Sequence, residues 1–172
     1  MASSRKRRVL KWVAIAGVIG LSTIGLAQLR SVRTAWLQVT KYCPACDLAT
    51  ANLFTASLKQ ANLQAANLTN SNLSEVNLEQ ANLAGANLSH ANLSLANLAD
   101  ADLTGANLQN ANLSGAILTG ATLEAANLQH AELLFTDLGG ASFKQADLRH
   151  TYLHGTNLLN ANLEGAIISG NH

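Results

Sequence analysis

Aromatic residues are scarce in this sequence of 172 residues, at 4% of the chain, although hydrophobic residues make up 48%. A core in such a chain has to be built from Leu and Ala, which is not the composition of an ordinary globular core. The chain has room for about one domain, with one proline and twelve glycines. Together with many Asn residues that recur at a regular spacing, this composition indicates a repeat protein.

Motifs of the common enzyme classes are absent from the sequence. It contains no GxSxG, no phosphate-binding glycine loop and no HExxH. Carboxylates such as Asp100 and Asp102 lie close together in the sequence, but no pocket that would desolvate them for catalysis can be identified, and they are expected to be solvated surface groups. We therefore expect a protein that is not an enzyme and binds no cofactor or metal.

Basic residues are few in the second part of the chain. Only Lys59, Lys144 and Arg149 follow residue 42, whereas all ten acidic residues lie at or after Asp47. Three positive and ten negative charges give this part of the chain a net charge of −7, which the overall value of +1 conceals. Such a body repels phosphates, so we expect no nucleic-acid partner.

Residues 1–29 have the pattern of an anchoring or export segment. Five basic residues between Arg5 and Lys11 precede the uncharged run Trp12 to Leu29, which as a helix of about 27 Å is just long enough to span a bilayer. The excess of positive charge before the run favours a cytoplasmic N-terminus and a translocated body. The run is longer than a usual signal core, but cleavage after Ala27 remains an alternative.

Residues 30–45 form a linker with a predicted capping helix. Val32, Ala35, Trp36 and Val39 recur at helical spacing, so this helix is expected to cover the first open end of the repeat body. Pro44 is expected to end it.

Cys43 and Cys46 form a CxxC pair. A thioredoxin-like site needs a βαβ context and a zinc site needs further ligands, and the sequence offers neither. A structural disulfide in an exported domain is favoured over two ordinary thiols and over redox or metal chemistry.

The second part of the chain has a period of five. Twenty-five consecutive positions from Leu48 to Ile168 hold 23 Leu, with Ala two places earlier in nineteen units and Asn immediately before in fourteen. An α-helix would scatter these Leu residues around its axis, and a straight strand would alternate them between two faces. A chain that runs extended through Ala-Asn-Leu and then bends keeps Ala and Leu inside a coil.

The run ANLSHANLSLANLADADLTGANL is similar to the pentapeptide repeat family, whose unit is A(D/N)LXX. The resemblance implies an all-β solenoid over residues 46–172, a right-handed quadrilateral β-helix of about six coils with twenty residues per coil. The predicted transmembrane or signal helix would precede it. One inner column of this coil would contain Leu83, Leu103, Leu123, Phe143 and Leu163.

The resemblance also implies a class of function. Family members with an export segment are similar to proteins of the periplasm or thylakoid lumen, which favours a membrane-anchored or exported scaffold for an unknown protein partner. The alternative is an acidic mimic of DNA that binds DNA gyrase, as in the quinolone-resistance members. The segment at 12–29 argues against this alternative, because gyrase is cytoplasmic.

Outward-facing positions supply the candidate binding surfaces. In the last third of the chain, apolar residues occupy repeat positions that polar residues usually hold. We expect an interface there, and a homodimer through the C-terminal end is one form of it. These residues are Leu134, Phe135, Tyr152, Leu159 and Ile167. The turn column of His90, Asn110, His130 and His150, with His154 on the adjoining face, is expected to be solvated rather than to bind a metal.

Overall fold

The computed structural model describes residues 34–170. Its first element is a helix, α1, over residues 34–40, and the remainder is a coil of short bridged segments separated by turns. Among these described residues, the structure contains no helix that could span a bilayer. The predicted transmembrane or signal segment at 12–29 lies outside the described residues.

The coil repeats every twenty residues. Asn62 pairs in parallel with Asn82, and equivalent bridges recur every five residues from Tyr42–Asn62 to Asp147–Ile167. Four bridged segments in each twenty-residue coil make four faces, so the body is a quadrilateral β-helix. The bridges begin at Tyr42, so the coil starts slightly earlier than the expected boundary at residue 46.

Backbone hydrogen bonds join successive coils along each face. The Leu48 amide donates to the Asn67 carbonyl at 2.7 Å, and the Asn67 amide donates to the Cys46 carbonyl at 2.8 Å. The same two-bond pattern recurs along the described chain. Each coil therefore satisfies its extended backbone through its neighbours, as buried polar groups require.

Each segment ends in a tight turn. The Ala51 amide donates to the Leu48 carbonyl at 3.0 Å, and Thr50 between them has φ of 58°. A positive φ at the third residue is the mark of a type II turn. Asn and Asp side chains support these turns: the Asn92 Oδ1 accepts a hydrogen bond from the Ser94 amide at 3.0 Å.

The interior is filled by Leu and Ala. Leu83, Leu103, Leu123 and Phe143 stack in one column, and each is at most 1% exposed. Leu163 occupies the same register but is 36% exposed, because it lies in the last coil of residues 34–170 and packs on a coil of this range on one side only. The expected buried column therefore ends at Phe143.

Two of the buried polar residues at inner Ala positions, Ser71 and Thr151, bond to a carbonyl three residues earlier. Ser71 is 2% exposed, and its hydroxyl donates to the Leu68 carbonyl at 2.7 Å. The Thr151 hydroxyl donates to the Leu148 carbonyl at 2.8 Å in the same way. These hydroxyls enter the core without an unpaired buried group.

The N-terminal end differs in detail from the expected cap. Leu37 is the fully buried residue of α1, whereas Val39 is 64% exposed. The helix ends before Lys41, which has φ of 55°, and not at Pro44. Pro44 instead occupies the second position of the first turn, where its restricted φ is favourable.

Burial between coils should make the same substitution costly inside the coil and cheap on its outer surface. Leu103→Ala leaves a cavity in a closed interior and should cost about 2–5 kcal/mol. Leu95→Ala, the matched control, should cost less than about 1 kcal/mol, because the Leu95 side chain lies outside the coil and is 62% exposed. Denaturant titrations followed by circular dichroism measure both, and equal losses would contradict the proposed inner column.

Candidate interaction surfaces

The register converts sequence positions into surface columns, because residues twenty apart lie on successive coils. Two opposite corners of the coil carry different side chains. We call one the apolar corner, formed by turn residues 54–55, 74–75, 94–95, 114–115, 134–135 and 154–155. The reference corner opposite it is formed by residues 44–45, 64–65, 84–85, 104–105, 124–125, 144–145 and 164–165.

Three of the predicted interface residues lie close together in the register. Leu134 and Phe135 are on the apolar corner, and Tyr152 lies on the adjoining face, bridged to Glu132. Phe135 and Tyr152 are 69% and 46% exposed, and Leu134 is half-buried. Leu159 and Ile167 are also exposed, but they occupy a different corner and a different face. The five residues therefore do not form one patch.

Other exposed apolar residues on the same side were not predicted. Phe54, Leu95 and Ile117 are 49%, 62% and 44% exposed. Phe54 and Leu95 belong to the apolar corner, and Ile117 lies on the face that follows it. Leu95 lies two steps of twenty residues before Phe135. The twenty-residue coil could therefore have identified Leu95 as a neighbour of Phe135 from the sequence. The prediction considered only the last third of the chain.

The histidine column is partly stacked. The rings of His130 and His150 lie 5.0 Å apart with an interplanar angle of 9°. His154 is separate, because it meets the Phe135 ring edge-on at 5.8 Å on the apolar corner. No group of three metal-ligating side chains occurs in the described range 34–170.

Cys43 and Cys46 are joined by a disulfide, with their Cα atoms 5.4 Å apart. The bond closes the first turn of the coil, in which the Cys46 amide donates to the Cys43 carbonyl at 3.4 Å. Cys43 is 3% exposed and packs into the end of the core. The disulfide therefore fixes the first turn of the coil, close to the end of α1.

Asp147 and Arg149 form the most closely bonded ion pair among the described residues. The Arg149 Nη2 donates to the Asp147 Oδ2 at 2.6 Å, and the Gln129 Nε2 donates to the same oxygen at 2.6 Å. The Arg149 hydrogen bonds hold the pKa of the Asp147 carboxyl well below its usual range, although partial burial opposes this shift. The same pairing raises the pKa of Arg149.

These features define the class: a β-solenoid with a filled Leu and Ala interior and variable outer corners. The family model for pentapeptide repeats matches the chain in 8 copies, within residues 46–85, 71–110, 96–133, 106–145 and 131–170. The chain therefore belongs to the pentapeptide repeat family, whose fold is a right-handed quadrilateral β-helix. The family is one of structural and interaction proteins, and no catalytic family is indicated.

Solved structures agree with this assignment. A pentapeptide repeat protein, Rfr23, from the cyanobacterium Cyanothece 51142 is 26% identical with a TM-score of 0.58, over 81% of this chain and 96% of that chain. A pentapeptide repeat protein from the Arabidopsis thaliana thylakoid lumen is 30% identical with a TM-score of 0.53, over 54% of this chain and 66% of that chain. None of the curated proteins matches the sequence significantly.

The Asp147–Arg149 pair should give stability a defined pH dependence. Because the Asp147 pKa is lowered in the folded chain, the pair stabilises the fold above the ordinary aspartate pKa of about 3.9, and this contribution decreases below that pH. Arg149→Gln should lower the melting temperature at neutral pH, and the difference from wild type should shrink as the pH falls from about 4 to about 2.

Lys144→Gln is the control for loss of one positive charge, since Lys144 forms only an exposed pair with Glu164 at 3.4 Å. Thermal melts across this pH range compare the three proteins. A constant difference between wild type and Arg149→Gln would show that Arg149 acts through packing and not through the carboxylate.

Proposed function

We propose that the protein is a non-catalytic scaffold for protein–protein interaction, with a rod of about six coils anchored in or exported across a membrane by residues 12–29. The observation that carries this proposal is the filled interior: Leu and Ala side chains occupy the inside of the described coils. Partner contacts are thereby confined to the outer faces and corners, which vary from coil to coil while the inside stays constant.

The disulfide supports an oxidising compartment. Bonds such as Cys43–Cys46 persist in the periplasm and in extracellular spaces and are rare where thiols are kept reduced. The charge asymmetry around residues 12–29 supports the same direction of transfer. A similar protein is described as belonging to the thylakoid lumen. We therefore propose that the repeat domain lies in the periplasm or the thylakoid lumen.

Topology is the direct test of this proposal. The full chain with a C-terminal tag is expected to resist protease added from the cytoplasmic side and to remain in the membrane after alkaline extraction. Thiol labelling on the same sample should find Cys43 and Cys46 blocked until a reductant is added. A Cys43→Ser/Cys46→Ser chain supplies the labelling baseline.

The other outcomes of this test separate the alternatives. A protected body that alkaline extraction releases would indicate an exported, cleaved form. A body exposed to cytoplasmic protease would overturn the proposed location and favour the alternative, an acidic mimic of DNA. Inhibition of gyrase supercoiling by the purified full chain would then be the next measurement, since the part of the chain after residue 42 carries −7.

We further propose that two copies associate through the last described coil. Leu158, Leu163 and Ile168 lie at inward positions but are 38%, 36% and 49% exposed. A second copy that stacks on this coil would cover these side chains and extend the hydrogen-bonded ladder. The same contact on both copies makes a closed dimer.

Light scattering on the purified full chain tests the dimer. The expected protein mass is twice the chain mass of 18.0 kDa, and Leu163→Glu should return it to one chain by placing a charge in the contact. Leu95→Glu, a charge on an exposed side position, is the control and should leave the dimer intact. A single-chain mass for wild type at high concentration would contradict the proposal.

A further inference from the structure

The exposed apolar side chains of the apolar corner are regularly spaced along the rod. They fall in alternate coils, at Phe54, Leu95 and Phe135. The turns between them and after them carry Glu75, Gly115 and Gly155. Since successive coils lie about 4.8 Å apart, these side chains recur about every 9.6 Å along the rod.

Glycines let two of these side chains, Leu95 and Phe135, extend over the next coil. A Cβ atom at Gly115 would lie 2.8 Å from the Leu95 Cδ2, and one at Gly155 would lie 2.5 Å from the Phe135 Cδ1. Leu95 and Phe135 therefore lean along the corner and each covers two coils. The result is an apolar ridge parallel to the rod axis.

The spacing of this ridge fits an α-helix better than a strand. Two turns of helix, seven residues, rise about 10.5 Å, close to the separation of alternate coils. Side chains on one face of a strand recur about every 6.6–6.8 Å and lose register after one step. A helix that lies along the corner can keep an apolar stripe in contact with Phe54, Leu95 and Phe135.

The charges around the ridge are all negative. Glu132 and Asp137 flank Phe135 on the two adjoining faces, and Glu75 lies on the corner before Leu95. Residues 51–58 and their equivalents every twenty residues up to 151–158 contain no Lys or Arg. Two such surfaces repel each other, so a second copy does not suit this corner, whereas a basic partner does.

We propose that the apolar corner binds a basic amphipathic α-helix of a partner protein, aligned with the rod axis. The inference rests on the proposed scaffold function and names the surface and the partner class. Apolar residues of the helix pack on Leu95 and Phe135, and its Lys or Arg residues face Glu75, Glu132 and Asp137. At the reference corner, the polar residue Gln145 takes the equivalent place. Its side chain extends over Gly165, where a Cβ atom added to the glycine would lie 3.4 Å from the Gln145 Cγ.

The probe is a fluorescent Ala-based helical peptide of about three heptads, with Leu at the first and fourth positions and Lys beside that stripe. Fluorescence anisotropy with the full chain in neutral micelles, against empty micelles, is expected to show saturable binding that weakens with added salt. A peptide of the same composition with Leu at every fifth position should bind at least tenfold more weakly. A peptide with Glu in place of Lys should not bind.

Variants locate the site. Phe135→Ala should weaken binding about tenfold, whereas Gln145→Ala at the equivalent position of the reference corner should leave it unchanged. Both should fold, since Ala45 and Ala65 already occupy such turn positions with φ of 53° and 54°. Asp137→Asn, which introduces the commonest residue at that phase, should weaken binding only at low salt.

Absence of binding at millimolar peptide, or equal losses in Phe135→Ala and Gln145→Ala, would overturn the proposal. Equal affinity of the heptad and five-residue peptides would also overturn it, since the spacing would then not matter. The topology of the full chain is measured separately. A failure of the peptide experiment is therefore distinguishable from a failure of the proposed membrane scaffold.

Discussion

Stacking of identical coils is the constraint on which the rest of this structure depends. A single pentapeptide buries its Leu only when another coil lies above it and another below it. The parallel bridges between residues twenty apart place Leu on Leu and Ala on Ala, as in the column from Leu83 to Phe143. At Leu163, in the last coil of the described range 34–170, the same residue type is partly exposed.

The turns reconcile this uniform interior with a variable surface. Every fifth residue has a positive φ, whether it is Gly85 or a larger residue such as His90, Leu95 or Phe135. Most side chains avoid this backbone region, so the inter-coil hydrogen bonds must hold it in place. Because these side chains point away from the core, their chemistry can change without disturbing the packing. Binding properties can therefore reside at the corners.

Much of the architecture was predictable from local pattern. The unbroken period from Leu48 to Ile168 excludes a helix and a straight strand, and the resemblance supplied the four-sided coil. The details at the N-terminal end were less predictable. Pro44 was expected to end a helix, but it begins a turn, because the same restricted φ suits both positions. Leu37, not Val39, is buried, because the coil and not the helical period decides which side of α1 is covered.

The sequence by itself determined the repeat, its phase, the inward Leu and Ala, the acidic body and the uncharged segment at 12–29. The reason is that these properties depend on residues close together in the chain. Tertiary structure alone decided that the Leu95 and Phe135 side chains extend over Gly115 and Gly155 and so join separate coils into one ridge. Surface neighbours on a solenoid are separated by whole coils, so their proximity follows from the register and not from sequence distance.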